Sequence, residues 1–105
     1  MKLKWYLRIV SEDLTVYEFT DATFLVTCEN LMVFRNYFLP EFSKSAEHPD
    51  YENIVIFKDG MAKIVEYEWH DEIDDYLPLD DYSGPEYNMY VPELHIKELK
   101  AIWEE

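Results

Sequence analysis

The residues of this sequence with the clearest chemical potential are acidic, and they concentrate in residues 66–86. This stretch, EYEWHDEIDDYLPLDDYSGPE, has nine carboxylates interleaved with aromatic residues and contains neither lysine nor arginine. In the wider interval between Lys63 and Lys97, ten acidic residues occur with no fixed positive charge among them. Carboxylates at this density can catalyse proton transfer, bind a cation or face a basic surface of another molecule.

The spacing of these acids favours neither catalysis nor metal binding. The chain has 23 acidic residues, so some pair is certain to lie close together, and proximity alone indicates nothing. His70 and the acids that follow it form the best candidate metal cluster, but the DxDxDG pattern of a calcium loop is missing. His48 and Asp50, in a polar segment, are typical of surface residues. We therefore predict no metal site.

Other enzymatic motifs are absent from the sequence. Its two glycines, Gly60 and Gly84, are too few for a phosphate-binding P-loop or a dinucleotide-binding loop, and no serine lies in a GxSxG pattern. The single cysteine, Cys28, excludes an intrachain disulfide and the usual cysteine-ligated zinc site. Because this region of the sequence is rich in apolar residues, Cys28 is expected to be a small core residue. The sequence predicts neither an enzyme nor a cofactor.

Composition predicts one folded, strongly acidic domain over residues 1–105. The chain is 49% hydrophobic and 17% aromatic, too apolar for intrinsic disorder even at a net charge of −14. This charge disfavours direct binding of nucleic acid and of anionic membranes, because both attract lysine and arginine. The alternating pattern of the first residues does not predict a signal peptide. The sequence also has no run of about 18 apolar residues and a single cysteine. It is expected to be soluble and cytoplasmic.

Patterns of period two predict strands ahead of the acidic stretch. Residues 3–9 alternate strictly between apolar and polar side chains, which indicates a half-buried strand. The basic residues on its polar face, Arg8 among them, are expected to pair with acids on a neighbouring strand. Residues 36–52 are expected to form a loop with one short helical turn. Further strand-like runs are residues 15–20, 23–28 and 31–35.

A hairpin is the clearest local structure in the sequence. Asp59 and Gly60 lie between two apolar runs, residues 53–57 and 62–69, and Asp-Gly is a strong hairpin signal. A two-residue loop at this point would pair Phe57 with Ala62. The second strand then leads directly into the acidic stretch, which is expected to be an extended loop because Pro78, Gly84 and Pro85 interrupt regular structure.

The last part of the chain predicts a short strand and a helix. Residues 87–91 resemble a closing strand. Pro92 suits the first position of a helix over residues 93–103, in which Ile96, Leu99 and Trp103 have helical spacing. The predicted fold class is α+β: a mainly antiparallel β-sheet of five or six strands, one C-terminal helix and a long acidic loop.

The remaining use of the acids is as a surface. Alternate residues of a strand, such as Glu66 and Glu68, are about 6.7 Å apart on one face, close to two base-pair steps of ~3.4 Å in a duplex. Aromatic residues among them supply the anchors that tighten interfaces. The opposing hypothesis is a solvated loop whose tyrosines belong to the core. The predicted partner-binding residues are Glu66, Glu68, Asp71, Glu72, Asp74, Asp75, Tyr76, Asp80, Asp81 and Tyr82.

In general composition, small size and acidity, the chain resembles the nucleic-acid mimics that phages encode against restriction, CRISPR or repair enzymes. The resemblance is one of class and includes no shared motif. It implies a small inhibitor, of the anti-CRISPR or anti-restriction type, that occupies the basic nucleic-acid-binding groove of a target enzyme. Two alternatives remain open: an immunity protein that neutralises a cationic nuclease toxin, and a small structural or assembly subunit.

Overall fold

A computed structural model describes residues 2–43, 45, 47–78 and 93–104. The strand order is β4-β3-β2-β1-β7-β5-β6, and β4 also pairs with β5, so that six strands form a closed sheet and β6 extends it from β5. The described residues contain no helix of the length and apolar character that a membrane span requires. The elements are β1 Lys2–Ser11, β2 Val16–Cys28, β3 Leu31–Tyr37, a 3₁₀ turn Pro40–Phe42, β4 Tyr51–Phe57, β5 Met61–His70, β6 Asp75–Pro78 and β7 Leu94–Glu104.

The predicted α+β fold class is wrong, because the described residues contain seven antiparallel strands and no α-helix. The segment expected to be a C-terminal helix is β7, which pairs with β1 along its whole length. In this ladder Ile96 lies opposite Ile9 and Glu98 opposite Arg8, so Lys97 is an extra, bulged residue. The bulge moves the inward-facing positions from Ile96 to Leu99, and this three-residue step imitates helical spacing.

The first three strands confirm most of the sequence-based expectations. β1 includes the alternating run, and its Arg8 lies opposite Glu18 of β2 and Glu98 of β7, as the predicted pairing of basic and acidic side chains requires. The two runs at residues 15–20 and 23–28 are one long strand with register shifts rather than two strands. Cys28 is exposed, not buried, because it ends β2 at the turn into β3.

The predicted hairpin is present as β4 and β5, but its register differs by one residue. Lys58, Asp59 and Gly60 form a three-residue loop, and Gly60 has a φ of 92° that favours glycine. Ala62 therefore pairs with Ile56 rather than with Phe57. Because a one-residue slip exchanges the faces of a strand, Ile54, Ile56 and Ile64 all point inward.

The interior of the closed sheet is one hydrophobic core. Trp5 packs edge-on against Phe34, with ring centroids 5.5 Å apart. β7 contacts β5 at only two pairs, Met61 with His95 and Ala62 with Leu94, after which the two strands separate. The far end of β5 thus projects beyond this contact and carries β6. The buried core residues are Leu7, Ile9, Phe19, Ala22, Phe34, Ile54 and Ile56.

Candidate protein-binding surface

The first half of the acidic stretch forms a hairpin. β6 pairs with the end of β5, from Tyr67 opposite Pro78 to His70 opposite Asp75. Residues 71–74 form the turn, in which the amide of Ile73 donates to the His70 carbonyl. The expected irregular loop is therefore regular structure as far as Pro78.

Four carboxylates are exposed at the turn of this hairpin and its first β6 residue, and we call Asp71, Glu72, Asp74 and Asp75 the acidic tip. Asp74 has a left-handed φ of 54°, which aspartate tolerates better than most residues. The indole nitrogen of Trp69 donates to Asp71 Oδ1 at 2.7 Å, which fixes that carboxylate against the strand. The sequence places no lysine or arginine between Lys63 and Lys97, so the tip has no basic neighbour along the chain.

His70 contacts two carboxylates at the base of the acidic tip. Its Nε2 lies 3.3 Å from Glu68 Oε1, and its Nδ1 lies 2.7 Å from Glu72 Oε1. The carboxylate oxygens accept hydrogen bonds, so an imidazole N–H of His70 can donate to either side chain. The histidine thereby links the turn to β5 and holds two acidic side chains in place.

An aromatic cluster lies on the outer face of β3 to β6, directly behind the acidic tip. Tyr51 is its centre and is only 8% exposed. Its ring stacks on Tyr67 at 5.1 Å and meets Tyr76 at 4.7 Å. Burial raises the pKa of both Tyr51 and Tyr76, so their phenols stay neutral at physiological pH. The cluster consists of Tyr37, His48, Tyr51, Tyr67, Trp69 and Tyr76.

The loop before β4 fastens this cluster to the hairpin. His48 stacks on Trp69 with ring centroids 3.7 Å apart, and the Tyr76 hydroxyl donates to the Pro49 carbonyl at 3.1 Å. The buried carboxylate of Asp50 accepts the Trp69 amide at 3.2 Å. These contacts join residues 48–50 to both strands of the hairpin. The hairpin that carries the acidic tip is therefore packed against the rest of the domain.

Arg35 contributes a positive charge to the aromatic cluster. Its guanidinium carbon lies 3.9 Å from the centroid of the Tyr51 ring, and its Nε donates to Asn53 Oδ1 at 2.9 Å. This geometry is a cation–π contact on a largely buried ring. The cluster can therefore stack an arginine, and it already holds one of its own.

The structure divides the predicted partner-binding residues between two faces. Glu66 lies opposite Glu52, two positions from the inward-facing pair of Ile54 and Ile64, so Glu66 and Glu68 lie on the inner face of β5. Tyr76 lies on the outer face, opposite Trp69. Through His70, which contacts Glu68 and Glu72, the inner row reaches the acidic tip, while the contact of Asp71 with Trp69 joins the tip to the face of Tyr76. Asp80, Asp81 and Tyr82 fall outside the described residues.

Glu52 is a notable residue that the sequence did not single out. It is partly buried, accepts a hydrogen bond from Asn36 Nδ2 at 3.2 Å and borders a cavity of about 480 Å³ with Phe19 and Ile64. Burial raises the pKa of the Glu52 carboxyl, the Asn36 hydrogen bond opposes this, and the charge of Glu66 adds to it. Counting the hairpin register from a three-residue loop would have placed Glu52 opposite Glu66.

The described residues contain no group of three or more His, Cys, Asp and Glu side chains placed to hold a metal ion. Comparisons of the chain with protein-family models, with curated proteins and with solved structures found no match.

Proposed function

We propose that this protein is a small acidic inhibitor that acts in the cytoplasm and occupies the basic nucleic-acid-binding groove of a target enzyme. The observation that supports this most directly is the acidic tip: four exposed carboxylates within residues 71–75, in a chain of net charge −14. A groove that binds nucleic acid is lined with lysine and arginine to neutralise phosphates. The carboxylates of the tip could take the place of phosphates in such a groove.

Electrostatic attraction would govern the formation of this complex. Complementary charge accelerates encounter and selects partners, and salt screens it over a distance of about 8 Å at physiological ionic strength. The half-buried rings of Trp69 and Tyr76 adjoin the charges and supply apolar contact area. Such rings are the residues that most often dominate the affinity of an interface.

Hydrogen bonds within the hairpin, which orient two of the carboxylates, favour binding as well. Asp71 is held by Trp69, and Asp75 Oδ1 accepts the amide of Tyr76 at 2.8 Å. Groups that are already fixed lose less conformational entropy when a partner binds. Two carboxylates of the acidic tip are therefore presented in one geometry rather than sampled from many.

The test is affinity capture with a matched pair of variants. The tip variant D71N/E72Q/D74N/D75N removes four charges while keeping side-chain shape and hydrogen-bond acceptors. The control E12Q/E29Q/E41Q/E47Q removes the same number of charges from exposed acids elsewhere. Each chain is immobilised, exposed to a lysate of the source cells at low salt, and eluted with rising salt or with duplex DNA.

We expect the wild type and the control to retain the same proteins. The tip variant should not retain them, and duplex DNA should release them from the wild type. Capture of a nuclease toxin in this way would instead identify an immunity protein that uses the same surface. Equal retention of every captured protein by the tip variant would contradict a role for the acidic tip.

A further inference from the structure

One edge of β7 has no strand beside it from Lys97 onward within the described residues. β1 covers one side of β7 from Leu94 to Glu104. On the other side β5 pairs only with Leu94 and His95, and the Ile96 amide donates to the Gly60 carbonyl at 2.9 Å. From Lys97 onward this edge meets no other described strand. An open edge presents backbone donors and acceptors that can pair with another strand.

A cleft of about 510 Å³ lies along this edge. Ile96 to Leu99 of β7 form one side of it, and the turns after β2 and β4 form the other. A cavity of this volume is large enough to enclose big side chains. Its apolar lining comes from Leu31, Met32, Ile56, Phe57, Ile96 and Leu99.

The side chains of β7 match this cleft. After the bulge at Lys97, Leu99, Ala101 and Trp103 share the inward-facing side, opposite Leu7, Trp5 and Leu3 respectively. Trp103 is nevertheless 63% exposed. A second β7 laid antiparallel along the open edge would direct its own Leu99, Ala101 and Trp103 toward the cleft. We propose that two copies of this chain associate in this way, edge to edge through β7.

Charge complementarity identifies the register and supports a second copy as the occupant. A two-fold axis perpendicular to the sheet keeps each face on its own side, so the axis must run between the two copies of one β7 residue, which then lie opposite each other. Centred on Leu99, it sets Glu98 of each copy opposite Lys100 of the other. Centred on Glu98 or on Lys100, it would set like charges opposite each other, which destabilises a ladder.

Pairing of the two β7 strands extends from Lys97 to Ala101, because β5 already pairs with His95 and Gly60 accepts the Ile96 amide on the same edge. Trp103 of the second copy then meets the turn after β4, where Phe57 and Gly60 line the cleft. The acidic tip does not oppose the association, because the ten residues of β5 separate it from this end by about 30 Å. That distance is several screening lengths at physiological salt.

The test is sedimentation of the full chain over a wide concentration range, with charge-reversed variants. The single variants E98K and K100E each place like charges opposite each other, whereas the double variant E98K/K100E restores both pairs. The expected result is a dimer whose dissociation constant rises about tenfold or more in each single variant and returns to near the wild-type value in the double variant.

Trp103→Ala provides a second measurement and Phe42→Ala its control, since Phe42 is also an exposed ring, at 73%, but lies far from β7 in the chain. We expect W103A to raise the dimer dissociation constant about 30-fold or more and F42A to leave it unchanged. Circular dichroism verifies that each variant is folded. A chain that is monomeric at all concentrations, or a dimer insensitive to W103A and to both charge reversals, would overturn the proposal.

Discussion

Two outer regions of this molecule carry acidic residues in different settings, the face of β1, β2 and β7 and the hairpin of β5 and β6. On the first face, charges alternate in sign: Arg8 lies between Glu18 and Glu98, and Lys100 Nζ is 4.0 Å from Glu98. The Tyr6 hydroxyl donates to Glu18 at 2.8 Å. Glu18 and Glu98 thus each have a basic and a phenolic or ammonium neighbour on this face.

The acidic tip has a different arrangement. Asp71 is oriented by an indole, Asp75 by a backbone amide and Glu72 by His70. These contacts orient the carboxylates without adding a lysine or arginine. The comparison teaches that acidic composition alone does not define a binding surface. The nearby cations of the first face offset its charge, whereas the rigid tip directs its charge toward solvent.

The largest expected difference between the regions is in the role of their tyrosines. Tyr51→Ala removes the buried centre of the aromatic cluster and should lower the free energy of unfolding by about 3 kcal/mol. Tyr6→Ala, on the mixed-charge face, loses one exposed hydrogen bond and a contact with Lys100 at 5.1 Å, and should cost about 1 kcal/mol or less. Urea unfolding of both variants measures the contrast, and equal losses would refute it.

The stability of the protein should depend on pH through Glu52, which lies on the inner face opposite Glu66. The pKa of Glu52 is raised in the folded state by burial, so its contribution to stability is present at low pH and is lost as the pH rises through the folded pKa. Glu52→Gln removes this loss and should stabilise the protein at neutral pH, with no gain in acid. Thermal unfolding at both pH values tests this, and a gain that persists below the usual pKa of glutamate would contradict it.

Single charges should have the smallest effects, with opposite signs in the two regions. Asp74→Asn relieves repulsion within the acidic tip, while its asparagine keeps the left-handed turn, and should stabilise by a few tenths of a kcal/mol, about 0.3. Glu98→Gln leaves Lys100 without its carboxylate and removes one of the two that flank Arg8, and should destabilise by about as much. Chemical denaturation at low salt resolves the signs, and high salt should reduce both effects. Equal signs would mean that the regions do not differ.

Local sequence patterns were enough to identify those strands whose signal lies within a few consecutive residues. Strict alternation predicted β1, and the Asp-Gly pair predicted the β4–β5 hairpin. The register of that hairpin was not predictable, because a two-residue and a three-residue loop fit the same letters. β7 was mistaken for a helix because a bulge at Lys97 gave Ile96 and Leu99 a three-residue spacing that helices share.

The candidate site was predictable in composition but not in arrangement. The four acids of the tip lie within residues 71–75, so the sequence alone shows that they are close together. The aromatic cluster depends on Tyr37, Tyr51 and Tyr67 meeting across three strands, and that requires the register of β3, β4 and β5. Glu52 and the inward placement of Glu66 depend on the same register. Cross-strand pairing, a non-local property, therefore determined what the sequence left open.

The most direct test of the central claim is competition for the nucleic-acid site of a captured partner. A labelled duplex is bound to that partner, and fluorescence anisotropy follows its release as the wild type, the tip variant D71N/E72Q/D74N/D75N or the control E12Q/E29Q/E41Q/E47Q is added. The account predicts release by the wild type and the control, weaker with rising salt, and little release by the tip variant. A duplex that stays bound while the wild type joins the complex would contradict it.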